Sequence, residues 1–327
     1  MYEKIVVVTR KTRLAELIAR FNTKAQAKFY IEHAGGDFED YQKEDDAYNR
    51  SLSQLRKSLD FGLKVQFVER IFLPSFLFSA CDLIVAVGQD GLVANTAKYV
   101  GSQPIVGVNP DPERFDGILS PVKVPQARKC IESVLDDSAE IKQVTLAEVV
   151  MNDGQRLLAF NDLFIGARTH VSARYRLEFQ GKSENQSSSG LIVSTGAGST
   201  GWLSSVFNMV SSVNQFMGGQ STRPLKLSWG DCQLVFVVRE PFVSKHSAAG
   251  IVAGILKEGQ ELIVESRMPC EGTIFSDGVE ADFLSFNSGL EAHVRAADQK
   301  ARLVLPFAHK ESRQRSAAGA ERRLAAR

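Results

Sequence analysis

The chain has 327 residues, 44% of them hydrophobic and 24% charged, and a formal net charge of +1 at pH 7. That length accommodates two domains, each with its own core, and the composition is that of a globular protein. A charge so near zero excludes the overall field that would mark nucleic acid or an anionic membrane as partner, so any anion site has to be local. Cys81, Cys130, Cys232 and Cys270 lie far apart, with no Cys-x-x-Cys and no histidine at metal-ligand spacing. They are expected as reduced thiols in a reducing compartment, and no protein-ligated metal is expected. The first apolar run is cut short by Arg10 and Lys11. It is too short for a secretory segment, and no stretch approaches the roughly 18 apolar residues of a membrane helix. The expectation is a soluble cytoplasmic protein with no membrane partner.

In chain order, Lys4 to Thr9 is a β-branched run suited to a strand buried on both faces of a parallel sheet. Leu14, Leu17, Ile18 and Phe21 then recur at helical spacing. Gly35 and Gly36 break the pattern, and the acidic run from Asp37 to Asp46 reads as a loop and helix start with a solvated face. A polar helix is expected around Arg50 to Leu59, then strands at Leu63 to Val68 and Asp82 to Val87. A turn, a helix near Leu92 to Val100 and a short strand at Ile105 to Val108 follow. This alternation predicts a doubly wound α/β domain over residues 1–125.

From about residue 140 the pattern changes to short alternating segments: Val144 to Val150, Arg156 to Ala159, Asp162 to Ile165, Arg174 to Phe179, Leu191 to Ser194, Gln233 to Val238 and Glu261 to Val264. Glycine turns separate them, and one helix is expected around Gly201 to Val213. The prediction is an antiparallel all-β domain over residues 126–306. The tail at 307–327 carries six Lys and Arg against two Glu. It reads as a flexible, solvated terminus, since no aromatic or motif supports a polyanion contact.

Two segments carry chemistry. Asp82 to Val87 runs directly into Gly88, Gln89, Asp90 and Gly91, with a helix after them. A glycine-rich strand-to-helix turn offers backbone N–H groups and a positive helix end to phosphate, at the sheet edge where open α/β folds bind ligands. An Asp held there can accept a proton from a hydroxyl or meet a Mg²⁺ ion beside the phosphates. Alone, the turn is equally compatible with a plain Asp-Gly loop. The second segment, Ser194 to Trp202, has three glycines and four hydroxyl residues before a helix. Its last N–H groups are open to an anion or a ribose. A flexible Gly/Ser linker is the alternative, disfavoured by the apolar strand before it and Trp202 after it.

In this order and separation the two segments resemble those of the NAD kinase family. There a Gly-Gly-Asp-Gly-Thr turn and a Ser-Thr-Pro-Thr-Gly-Ser-Thr-Ala-Tyr-like loop clasp the dinucleotide. The corresponding residues are Gly88 to Leu92 and Ser194 to Trp202, and Asn161-Asp162 matches the family's Asn-Glu pair with Asp in place of Glu. The likeness is closest to the mitochondrial branch. It extends through Val108 to Arg114, Ser188 to Leu191 and Val238 to Pro241, from the first strand to about Pro306. Gln89 and Leu92 depart from the family's glycine and threonine. Ser189 stands where many members have an Asp, a change shared with the mitochondrial branch.

The resemblance implies the two-domain NAD kinase fold and transfer of phosphate from ATP to the adenosine 2′-hydroxyl of NAD, giving NADP. Asp90 would orient and deprotonate that hydroxyl, and Asn161 and Asp162 would hold ribose hydroxyls. Ser189, Thr195, Thr200, Gly201, Trp202 and Ser205 would line the nucleotide pocket, with Trp202 placed to pack on a ring. Gly88, Gly91, Asn109 and Arg114 would face phosphates, Arg114 as a charge clamp or else a surface ion pair. Mg²⁺ would come with ATP, bound through its phosphates. A homodimer or larger homo-oligomer is implied as well. Two other readings stay open: a nucleotide-binding protein of this fold with little or no activity, and a kinase of the wider superfamily acting on a lipid or other alcohol. Asp277-Gly278 reads as a structural turn. His33, His170, His246, His293 and His309 are scattered, so no catalytic dyad is visible and Ser194 or Ser199 lacks a histidine to activate it.

Overall fold

The computed structural model describes residues 2–220 and 225–306, so the basic tail at 307–327 lies outside the described residues. Strand β1 (Lys4–Thr9) leads to helix α1 (Arg13–Phe21), then α2 (Lys24–His33) and α3 (Phe38–Ser58). Each helix begins on a side-chain cap: Thr12 accepts the Ala15 N–H, Thr23 that of Gln26, and Asp37 that of Glu39. The acidic run is therefore not a loop. It belongs to α3, where Glu39 and Asp40 sit in the first turn and are favoured by the helix dipole. One of its charges is not solvated either, since Glu44 is buried and pairs with Arg10 at 2.9 Å and Arg13 at 2.5 Å.

Next come β2 (Lys64–Glu69), a 3-10 turn at Arg70–Ser75, β3 (Asp82–Val87), α4 (Asp90–Ala97), β4 (Pro104–Asn109), β5 (Val122–Lys123) and α5 (Val124–Leu135). The second half supplies β6 (Ile141–Met151), β7 (Arg156–Ala159), β8 (Asp162–Ala167), β9 (Ala173–Phe179), β10 (Lys182–Ser188), β11 (Leu191–Ser194), α6 (Trp202–Phe216) and β12 (Leu234–Val238). It closes with β13 (Ala253–Leu256), β14 (Leu262–Ser266), β15 (Gly272–Ser276), β16 (Val279–Ser285) and β17 (Glu291–Val304).

Among the described residues these strands form two sheets. In one, β2, β1, β3 and β4 are neighbours in that order, all parallel, with β3 and β4 buried along their whole length. The other is antiparallel, in the order β13-β12-β11-β8-β15-β16. The 14-residue β17 ties the halves together. Its start pairs antiparallel with β14 and its end pairs parallel with β4, while β6 runs beside it. The parallel sheet thus continues without a gap into antiparallel strands from the second half. The α/β region followed by β-rich region is as expected, and strand continuity fixes how the two present their loops to each other.

Three buried clusters hold this arrangement. Val7, Val85 and Val108 pack under α3 and α5; Val6, Ile84 and Leu92 pack on the opposite face; Val193, Phe236 and Ile274 fill the space between the sheets of the second half. No helix among the described residues is long and apolar enough to cross a membrane. No disulfide links the four cysteines, all of which are described.

Candidate nucleotide site

The Asp90 turn is built by packing as much as by backbone freedom. At the end of β3 the Gly88 N–H donates to Val108 O at 3.0 Å, and the Leu92 N–H to Gln89 O at 2.9 Å. A Cβ on Gly88 would lie 2.8 Å from Leu92 Cδ2, so a side chain at 88 and a leucine at 92 exclude each other. Leu92 is 3% exposed and part of the core. Gln89 has φ −74° and ψ 167°, ordinary extended backbone. A glycine is not required there, and the glutamine adds no left-handed strain. Gly91 is exposed.

Asp90, the first residue of α4, directs its carboxylate onto the loop before β5. Oδ1 accepts the Leu119 N–H at 2.9 Å and both the Ser120 N–H and hydroxyl at 3.1 Å; Oδ2 accepts the Ile118 N–H at 3.0 Å. A carboxylate offers about four lone-pair sites, so Oδ2 retains one for an incoming hydroxyl. Asn109 is buried and organises the same loop, donating to Phe115 O at 2.8 Å and accepting the Asp111 N–H at 3.0 Å. Arg114 pairs with Asp40 at 2.8 Å and Asp111 at 3.5 Å.

Across from this turn, residues 160–162 join β7 to β8. The loop after β11 is stapled onto them. Thr195 donates its N–H to Asn161 O at 2.9 Å and its hydroxyl to Phe160 O at 2.6 Å, and accepts the Gly198 N–H at 3.2 Å. A Cβ on Gly198 would stand 2.3 Å from Asn161 O, and one on Gly196 would stand 2.0 Å from Ser228 O. The two glycines therefore permit backbone-on-backbone contact. Thr195 is fully buried, which makes it a staple of the site. Leu92, Phe160 and Ala197 share one hydrophobic cluster, so the three segments singled out in the sequence converge.

Asp162 stands half-buried at this junction, with Oδ1 shielded from solvent and without a hydrogen-bond partner. Burial raises its pKa to about 7, against the nearby Ser194 hydroxyl. Asp277, from the β15–β16 turn, accepts the N–H groups of Phe160, Asn161 and Asp162 at 3.0, 2.6 and 3.3 Å. Burial pushes the Asp277 carboxyl up and the Lys98 ammonium down, and the charge of each opposes the other's shift.

Trp202 opens α6 and stacks on Phe164, with centroids 5.7 Å apart and planes 12° off parallel; the Arg239 guanidinium lies 5.4 Å from its ring centroid. Trp202 and Ser189 line a 560 Å³ cavity with Phe164, Arg168, Arg239 and Phe275. Thr200, Gly201 and Ser205 are exposed at the start of the same helix. A second cleft, of 770 Å³, runs along α4 between Gln89, Asn95 and Tyr99 and is lined by Arg10, Lys11, Arg13, Arg70 and Asp282. Its cations did not stand out in the sequence. The available signal was Arg10-Lys11 directly after the first parallel strand, at the carboxyl edge of the sheet. Among the described residues no three His, Cys, Asp or Glu side chains are grouped to hold a metal ion.

No protein-family model matches the chain. It is 25% identical over 222 residues to a protein of Oryza sativa subsp. japonica named "Probable NADH kinase", covering 60% of this chain and 63% of that protein. A crystal structure of an NAD kinase from Archaeoglobus fulgidus in complex with ATP superimposes with a TM-score of 0.51 at 16% identity, over 93% of this chain and 94% of that one. Yeast NADH kinase complexed with NADH gives 0.53 at 15% identity, over 94% and 84%. In sequence the chain is similar to NAD and NADH kinases, and it shares their fold. The two solved structures show the fold alone. The matched segment spans 63% of the Oryza relative.

Proposed function

We propose that the chain transfers the terminal phosphoryl group of ATP to the adenosine 2′-hydroxyl of NAD, giving NADP. The observation that carries this reading is the docking of Thr195 and Gly198 onto Phe160 and Asn161, which joins the hydroxyl-rich loop to the Asn-Asp pair. In this reading residues 1–125 supply Asp90 and the basic cleft along α4, and residues 126–306 supply the dinucleotide side. Asn161 and Asp162 hold ribose hydroxyls. Trp202 and Ser189 border the cavity for one end of the dinucleotide, and Thr200, Gly201 and Ser205 flank it with open N–H and hydroxyl groups. Gly88 and Gly91 keep the backbone at the Asp90 turn accessible to phosphate.

Asp90 takes the proton of the attacking hydroxyl on the free lone pair of Oδ2, while its bonds to 118–120 hold the carboxylate in place. Arg10, Lys11 and Arg70 supply positive charge for the phosphates of ATP, where positioning and charge neutralisation do most of the work of phosphoryl transfer. The reading places the protein in the cytoplasm as a homodimer or larger assembly. The exposed apolar side chains of Val213 and Phe216 on α6 support assembly. The bonds that Asp90 accepts favour a second reading, nucleotide binding with little transfer, because the carboxylate is already engaged.

The test is incubation of the purified chain with NAD, ATP and Mg²⁺, followed by measurement of NADP. NADP formation supports the kinase. NAD-dependent thermal stabilisation without product supports binding alone. Neither effect, with phosphate transferred to a lipid alcohol, overturns both.

A further inference from the structure

We propose that Asp277 is the positioning residue of the dinucleotide turn. This rests on the dinucleotide reading of Asn161 and Asp162. Three successive backbone N–H groups, of Phe160, Asn161 and Asp162, converge on this one carboxylate, at 3.0, 2.6 and 3.3 Å. Consecutive N–H groups pointing into one concavity form a natural anion seat. Here the anion is a side chain from a turn more than a hundred residues further along. Both carboxylate oxygens take part, Oδ2 with Phe160 and Oδ1 with the other two.

The far side of the same turn is held by Thr195, through Asn161 O and Phe160 O. The peptide planes from 160 to 162 are therefore clamped from both faces, and the directions of the Asn161 and Asp162 side chains follow from them. Asp277 itself has φ +53°, a left-handed backbone uncommon for a residue other than glycine. The geometry is retained where its side chain is fully used.

The experiment compares the wild-type chain with Asp277→Asn, by steady-state kinetics and by amide hydrogen exchange. Asn keeps the size of Asp but replaces one acceptor by a donor facing N–H groups. The expected result for Asp277→Asn is a KM for NAD raised about tenfold, the loss associated with broken charge-assisted hydrogen bonds, with the KM for ATP unchanged. Exchange at 160–162 should rise while that of β11 stays as in the wild type. An unchanged KM for NAD in Asp277→Asn, whether or not exchange rises, overturns the positioning role. A wild-type chain that neither binds NAD nor makes NADP overturns the dinucleotide reading beneath it, a failure visible before any variant is made.

Discussion

Asp90 holds Ser120 twice, its Oδ1 accepting both the Ser120 N–H and the Ser120 hydroxyl at 3.1 Å. Ser120 is fully buried, so the hydroxyl bond is made away from solvent. Ser120→Ala removes this bond and leaves the backbone donors in place. The expected cost is about 1 kcal/mol of stability, the usual net worth of one such bond. Denaturant melts check this. Transfer activity should fall only a few-fold, because the loop still orients Asp90.

Leu92→Thr restores the residue type that the resemblance assigns to this position, yet it should weaken the protein. Leu92 is 3% exposed and packs over Gly88. The change removes buried methyl volume and adds a hydroxyl to an apolar cluster, at a cost of about 2–3 kcal/mol. A denaturant midpoint equal to that of the wild type would show that the threonine is accommodated.

Asp162 should leave a mark on pH dependence. Its folded pKa of about 7 lies above the ordinary carboxyl value of 3.8, so between these values the folded state binds more protons than the unfolded state. Stability from this group is therefore full below the lower value and is lost as pH rises through the upper one. Thermal melts from pH 4 to 8 should decline more steeply for the wild type than for Asp162→Asn. NAD affinity should move the other way and strengthen as pH passes 7, because the ionised carboxylate accepts ribose hydroxyls.

Much of this was legible in the sequence because the signals were local and dense. The buried strands Lys4–Thr9 and Asp82–Val87 declare themselves by β-branched runs, and Ser194 to Trp202 by glycines and hydroxyls in front of a helix. What was not legible depends on contacts distant in the chain. The acidic run looks like a solvated loop until Glu44 is seen buried between Arg10 and Arg13. Gln89 invites concern about strain only while its backbone angle is unknown, and φ −74° removes it. Asp277 resembles any Asp-Gly turn until three N–H groups from 160–162 are found on its carboxylate. For Arg114 the sequence leaves a charge clamp and a surface ion pair equally open, because Asp40, its partner, lies far back in the chain.

In the proposed reaction Asp90 accepts the proton of a ribose hydroxyl presented by the Asn161 turn. The most direct test is the rate of NADP formation by Asp90→Asn, measured together with the Kd for NAD. Removal of a general base costs about 10²- to 10⁴-fold in rate. The account predicts a loss in that range with NAD binding retained. Wild-type turnover in Asp90→Asn would contradict it.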